Sequence, residues 1–254
     1  MRLQQFIIQE NRGLKLDIED AVGIIQDYCM KSYEGYINGS RIYRGMQYDI
    51  DYYYIDPKVG KPRVSANTMN YYTLINDNSP YWKKYPKRSE SLICTTDKNI
   101  SEEYGISYVV LPYDGAKVGV CPANDYWFSF EKSINNILSQ FNKELKRLFT
   151  RFGVPYSDES FSGIVKSLKM VEKEIKKTEP KKVKWLTDDI HFMKGYKEGS
   201  DILKHIQELL SPKKNGFTIK KPYELSSYKN KEVWTDSRSV LIKENKMNVV
   251  KKMI

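Results

Sequence analysis

The sequence predicts an α+β fold, with a helical, basic segment inserted between strands of one β-rich core. Three observations carry this. Short runs rich in β-branched and aromatic residues, such as SRIYRGM (40–46), SLICTT (91–96) and SYVVL (107–111), are set off by turn-forming residues. From Glu131 to Pro212 the apolar residues recur at helical spacing instead. Beyond Pro212 strand-like runs return, notably KEVWTDSRSVLI (231–242).

In chain order, residues 2–9 are a short apolar start. Asp17 to Met30 is predicted helical, because Asp17 is an N-cap with Asp20 three residues on, and Ala21, Ile24, Ile25 and Tyr28 share a face. Gly35 and Asn38-Gly39 then break the chain. Ser40 to Met46 is a strand, and the tyrosine-rich, acidic stretch 47–62 is a loop or irregular hairpin. Residues 65–76 suit a helix capped by Ser65 or Asn67, and 77–87 a proline-punctuated turn region. Ser91 to Thr96 is a strand, followed by a helical turn over Ile100 to Tyr104 that Gly105 ends. Ser107 to Leu111 and Ala116 to Cys121 are strands, and Pro112-Tyr113-Asp114-Gly115 between them signals a hairpin.

Glu131 to Phe149 (through Ile134, Ile137, Leu138, Phe141, Leu145 and Leu148), Phe161 to Lys177 and Asp201 to Leu210 are predicted helices. Gly153 with Pro155, Pro180 and Pro212 stop them. Asn215-Gly216 suits a hairpin turn, and 231–242 is strand, turn, strand. The predicted organisation is therefore 1–130 as the first part of the core, 131–212 as the helical insertion and 213–254 as the strands that complete the core.

Composition bounds the function. The 254 residues are 40% hydrophobic and 29% charged, with a net charge of +10. Residues 1–130 hold 15 Lys+Arg against 16 Asp+Glu, and 131–254 hold 27 against 16, so all the excess charge lies in the second part. A basic half suits a polyanionic partner such as nucleic acid, or else a solvated lysine-rich helical surface. Twenty tyrosines supply rigid area for stacking on bases or sugars, or reflect a Lys-, Asn- and Ile-rich composition. Cys29, Cys94 and Cys121, with His191 and His205, have no metal-ligand spacing, so no metal is expected. Unpaired cysteines in odd number suit a reducing, cytoplasmic setting. The start MRLQQFIIQE lacks the pattern of a signal peptide, and no apolar run nears the ~20 residues of a membrane span. No glycine-rich phosphate loop is present, which disfavours P-loop enzymes, kinases and dehydrogenases.

Three strand-borne motifs carry chemistry. Arg44 follows Ile42-Tyr43 and precedes Gly45. An arginine's planar fork binds oxyanions, and a neighbouring glycine lets a ligand approach the backbone. Thr95 and Thr96 follow Cys94 at a strand end, where hydroxyls can orient a carboxylate. Glu232 opens a strand with Val233 and Trp234, and burying a carboxylate is costly without a purpose. Each has an ordinary alternative: an edge arginine, β-propensity for threonine, and a solvated acid beside Lys231.

Together the three motifs resemble the ADP-ribosyltransferase superfamily of the arginine–serine–glutamate type, found among bacterial toxins and related phage enzymes. The family's aromatic-Arg-Gly strand matches Tyr43-Arg44-Gly45. Its serine–threonine–serine strand with a following short helix matches Cys94-Thr95-Thr96 and then Glu102, Glu103, Tyr104 and Gly105. Its Glu-Val-Leu-like strand matches Glu232-Val233-Trp234. The match covers about half the chain in scattered pieces. Cys94 stands at the first serine, and the long gap to Glu232 requires the helical insertion. Two residues before Glu232, where arginine-modifying members carry an acid or amide, stands Asn230. It can hydrogen-bond but cannot act as a base, which does not support an arginine acceptor.

The resemblance implies a split antiparallel core with NAD+ folded in a cleft. It also implies transfer of ADP-ribose to a macromolecular acceptor, such as nucleic acid or a protein associated with it. Arg44, Gly45, Tyr43, Cys94, Thr95, Thr96 and Tyr104 would hold NAD+, with Tyr71 or Tyr72 as other stacking candidates, and Glu232 would be catalytic. The aromatic-basic run of Tyr81, Trp82 and Tyr85 with Lys83, Lys84, Lys87 and Arg88 suits nucleic acid or the adenine–phosphate end of NAD+. The alternative is a non-enzymatic nucleic-acid-binding protein that uses the basic half.

Overall fold

Nine strands form one antiparallel sheet in the computed structural model, which describes residues 13–59, 62, 71–134, 138–155, 160–178, 186, 188–197 and 199–254. The expectations for 2–9, for a cap at Ser65 or Asn67 and for a stop at Pro180 lie outside these residues. The strands are β1 (Gly13–Lys15), β2 (Tyr43–Met46), β3 (Tyr52–Ile55), β4 (Leu92–Thr95), β5 (Ile106–Pro112), β6 (Val118–Val120), β7 (Thr218–Lys220), β8 (Glu232–Thr235) and β9 (Ser239–Lys243). Their order is β1-β3-β9-β5-β2-β4-β8-β6-β7. The fold is thus α+β, as the sequence predicts.

The chain divides into two compact units. The sheet unit holds residues 1–66, 85–125 and 218–254, and all nine strands lie in it. The helical unit holds 67–84 and 126–217, so it takes in a stretch that the sequence reading gave to the first part of the core. By sequence the helical unit carries 20 Lys+Arg against 13 Asp+Glu, and the sheet unit 22 against 19.

Within the sheet unit, helix α1 (Ile18–Ile24) begins at Asp17, whose side chain accepts from the Asp20 N–H at 2.8 Å. A π-helical turn over Ile25–Cys29 follows, and α2 (Met30–Ile37) continues the path. The helix therefore runs past Met30 and through Gly35, which lies directly under the Tyr223 backbone. The turn of 112–115 is not a hairpin: β5 pairs with β2 and β9, and β6 with β7 and β8. Besides the local bond from the Ala116 N–H to the Tyr113 carbonyl, it is tied to distant partners. The Asp114 N–H donates to the Tyr28 carbonyl of the π turn at 2.6 Å, and the Asp114 carboxylate accepts from the Lys31 N–H. These tertiary partners redirect a sequence that locally favours reversal. Likewise Asn215-Gly216 closes a short helix, Pro212–Asn215, rather than turning a hairpin, and β3 supplies an ordered strand inside the tyrosine-rich stretch.

Alternation of side chains along strands separates two cores. On one face Tyr43, Tyr52, Val109, Leu111, Val240 and Ile242 pack with Ala21, Val22 and Ile25 of the N-terminal helical segment and with Val250 of the C-terminal helix Met247–Met253. On the other face Ile42, Met46, Tyr53, Tyr108, Val110 and Leu241 from one half of the sheet join Leu92, Cys94, Val118, Val120 and Val233 from the other half. One face of the sheet thus carries a continuous cluster from β3 across to β6. The narrowest junction, here called the seam, lies between β2 and β4, which share the single register pair Tyr43↔Thr95.

The helical unit is built by helices Tyr71–Asp77, Glu131–Ile134, Leu138–Arg151, Phe161–Lys177, Ile202–Leu209 and Pro212–Asn215. Ser160 and Asp201 cap two of them through their side chains. Trp82, Tyr126, Phe130 and Phe217 form an aromatic cluster with centroids 5.0–6.3 Å apart, and the Trp82 Nε1–H donates to the Leu210 carbonyl. Glu144, nearly buried, accepts from His191 Nδ1 at 2.7 Å and from the Phe192 N–H, which fixes the turn His191–Met193. Among the described residues no helix is long and apolar enough to cross a membrane.

Burial pushes the Cys29 and Cys94 thiols up from 9.0 to about 12. The unfolded chain releases these protons near the ordinary value, so the folded state binds more protons between the two limits. Stability present below about pH 9 is therefore lost as pH rises toward 12. Urea midpoints should fall over that window, and should fall less steeply in Cys29→Ala and Cys94→Ala. Equal slopes in wild type and both variants would disprove the assignment to these thiols.

Candidate active site

The three chemical motifs lie on adjacent strands, because β4 stands between β2 and β8. Thr95 pairs with Tyr43 on one side and with Glu232 on the other. Paired residues share a face and successive residues alternate. Tyr43, Thr95, Glu232 and Trp234 therefore stand on one face. Arg44 stands on the other, with Cys94 and Val233. Of the three motif residues Arg44, Thr95 and Glu232, two share a face and Arg44 leaves from the opposite one.

Glu232 is built into place from the backbone outward. Asn230 precedes it with a φ of 53°, a left-handed conformation that asparagine tolerates better than most residues. Thr96 and Lys231 then exchange bonds: the Thr96 N–H donates to the Lys231 carbonyl, and the Lys231 N–H donates to Thr96 Oγ1, both at 3.0 Å. The Glu232 carbonyl accepts from the Cys121 N–H at 2.9 Å. The Glu232 carboxylate, 15% exposed, meets the Arg88 guanidinium, 8% exposed, at 2.6 Å between Oε1 and Nη2.

Arg88 is held in turn. It begins the short helical turn Arg88–Glu90, and its Cζ lies 5.8 Å from the Trp234 ring centroid. The Trp234 indole donates from Nε1 to the Pro86 carbonyl at 2.9 Å, and the Tyr85 ring stacks on it at 17°. Gly119 of β6 pairs with Trp234 and makes room for it, since a Cβ there would fall inside the indole. A chain of contacts thus runs from Gly119 through Trp234 and Arg88 to the carboxylate.

The remaining predicted residues have structural surroundings. Arg44 is partly buried and donates from Nη1 to the Ile93 carbonyl of β4 at 2.5 Å. Burial pushes its guanidinium below the ordinary value, and the Cys94 thiol works against that. Cys94 is core, with a thiol raised chiefly by burial, lowered by Arg44 and raised by Glu232. Tyr43 is buried in the core shared with the helices. Gly45 admits protein backbone rather than a ligand, since a Cβ there would overlap the Ser101 carbonyl and crowd Tyr104. Thr95 Oγ1 accepts from the Asp97 N–H at 3.1 Å, which shapes the turn after β4. Tyr104 is exposed beside Gly45. Tyr71 and Tyr72 are buried in the helical unit against Phe149, Tyr126 and Trp127, which corrects them as stacking candidates. The aromatic-basic run is divided too. Trp82 is core in the helical unit, and Arg88 is buried in the sheet unit.

Sequence reasoning placed Arg88 in the aromatic-basic run suited to nucleic acid or the adenine–phosphate end of NAD+, not beside Glu232. Its signal was the residue type. It is an arginine after Lys83, Lys84 and Lys87, and a guanidinium suits a buried carboxylate partner where an ammonium does not.

No family model matches the chain, and no match was found among the curated proteins or the solved structures. Among the described residues no three His, Cys, Asp or Glu side chains stand together as metal ligands.

Gly119→Ala should push the Trp234 indole out of its seat and destabilise the protein by about 1–3 kcal/mol, as overpacking does. Urea unfolding followed by tryptophan fluorescence measures both effects, and an unchanged midpoint with an unchanged spectrum would contradict the packing chain.

Proposed function

We propose that this protein is an NAD+-dependent ADP-ribosyltransferase that acts on a macromolecular acceptor, with Glu232 as its catalytic residue. The observation that carries the reading is the placement of Glu232. It is a partly exposed carboxylate at the start of β8, in register with Thr95 and paired with a nearly buried arginine. Replacing a buried ion pair by apolar residues of similar volume is often neutral or stabilising, so stability alone is a weak reason for it. A carboxylate aimed from a rigid strand is suited to stabilising positive charge that develops on a sugar.

In the proposed reaction the bond between the ribose anomeric carbon and the nicotinamide nitrogen breaks, and its electron pair goes to nicotinamide. Glu232 accepts a hydrogen bond from the ribose 2′-hydroxyl and stabilises the oxocarbenium-like transition state electrostatically. The acceptor nucleophile then bonds to the anomeric carbon and gives up its proton. Thr96 and the Cys121 N–H hold the backbone on either side of the carboxylate. Arg44 braces β4 through the Ile93 carbonyl and does not share the face of Glu232.

A second reading, a nucleic-acid-binding protein without catalysis, is favoured by the 20 basic against 13 acidic residues of the helical unit. The two readings separate in one experiment. With NAD+ labelled on the adenylate and cell extract with and without nuclease, wild type should release nicotinamide and label an acceptor. Glu232→Gln should lower the rate on the order of 10²–10³-fold with its melting temperature nearly kept. Polynucleotide binding with a steep salt slope, untouched by Glu232→Gln and unaccompanied by nicotinamide release, would instead establish the second reading.

A further inference from the structure

We infer that Arg88 is the positioning residue for Glu232, a role the motif pattern gives to no arginine; the inference rests on the transferase reading above. Arg44 leaves β2 on the face opposite Glu232 and spends Nη1 on the Ile93 carbonyl. Arg88 lies against the carboxylate itself, Nη2 to Oε1 at 2.6 Å, and both side chains are largely withdrawn from water.

The surroundings fix its geometry. The guanidinium lies over Trp234, two residues along the same strand and on the same face as Glu232. Trp234 is tied to the Pro86 carbonyl, and the Ser91 hydroxyl donates to the Lys87 carbonyl, so the segment bearing Arg88 is anchored on both sides. A charge-assisted bond from a planar, pre-oriented fork sets direction as well as distance. A carboxylate offers about four lone-pair sites across two oxygens, so one bond to Oε1 does not by itself saturate it. The geometry gives Arg88 a role through Glu232.

The test compares Arg88→Lys and Arg88→Met with wild type. NAD+ hydrolysis, NAD+ affinity, melting temperature and a crystal structure of Arg88→Met are measured. In Arg88→Lys, kcat should fall about 10²-fold, as expected when a catalytic group is displaced by roughly 1 Å, while KM for NAD+ stays within about threefold. Guanidinium added to Arg88→Met should restore part of kcat, which a merely structural loss would not allow. In the crystal, Glu232 should have left its place beside Thr95. A folded Arg88→Lys with near wild-type kcat would overturn the inference and leave the transferase reading standing. So would a loss confined to KM, which would make Arg88 a ligand contact. Glu232 unmoved in Arg88→Met would overturn it whether or not wild type turns over. Wild type without turnover would sink the transferase reading, and a displaced Glu232 would then mark the pair as structural only, which also overturns the inference.

Discussion

Everything at the site depends on the seam between β2 and β4. These strands share one register pair, Tyr43↔Thr95, where β2 and β5 share four. Across this thin junction the apolar face stays continuous, with Tyr108 and Leu241 of one half in the same cluster as Cys94 and Val233 of the other. Arg44 crosses this seam to the Ile93 carbonyl. A partly buried cation at that point costs desolvation, and the hydrogen bond offsets it by tying the two halves where the ladder is weakest.

The seam also explains why Glu232 stands where it does. β8 is the second strand past it, and Thr95 hands the register on from Tyr43 to Glu232. A slip of one residue would turn the carboxylate to the other face, into the cluster of Cys94 and Val233. Register is held by backbone bonds on both sides, from Thr96 and from Cys121, and by the seat that Gly119 leaves for Trp234. The fold thus spends several independent interactions on the placement of a single carboxylate.

Much of the architecture was legible from local chemistry. Phe161–Lys177 is the helix that its period predicts, and Asp17 and Asp201 cap helices because a carboxylate before an apolar periodic run has unsatisfied N–H groups to accept from. The runs around Arg44, Cys94 and Glu232 are strands. The turn at 112–115 was misread as a hairpin, because its signal is local while its partners, Tyr28, Lys31 and Arg238, are far away in sequence. Tyr71 and Tyr72 look like stacking residues in a list of tyrosines and are packing residues in a helical core, because an aromatic ring serves either purpose equally well.

By itself the sequence determined the α+β class, the strands that bear the three motifs, and the place of Glu232 as an acid at the head of an apolar strand. Those depend on periodicity and capping, which act over a few residues. Only the tertiary structure decided which arginine meets that acid. Strand parity sends Arg44 to one face and Glu232 to the other, and parity becomes visible only once partners and register are known. Arg88 comes to the carboxylate from 144 positions away along the chain, across a Trp234 whose seat depends on a glycine in yet another strand. No local pattern encodes that meeting, because it is set by how the sheet pairs and folds.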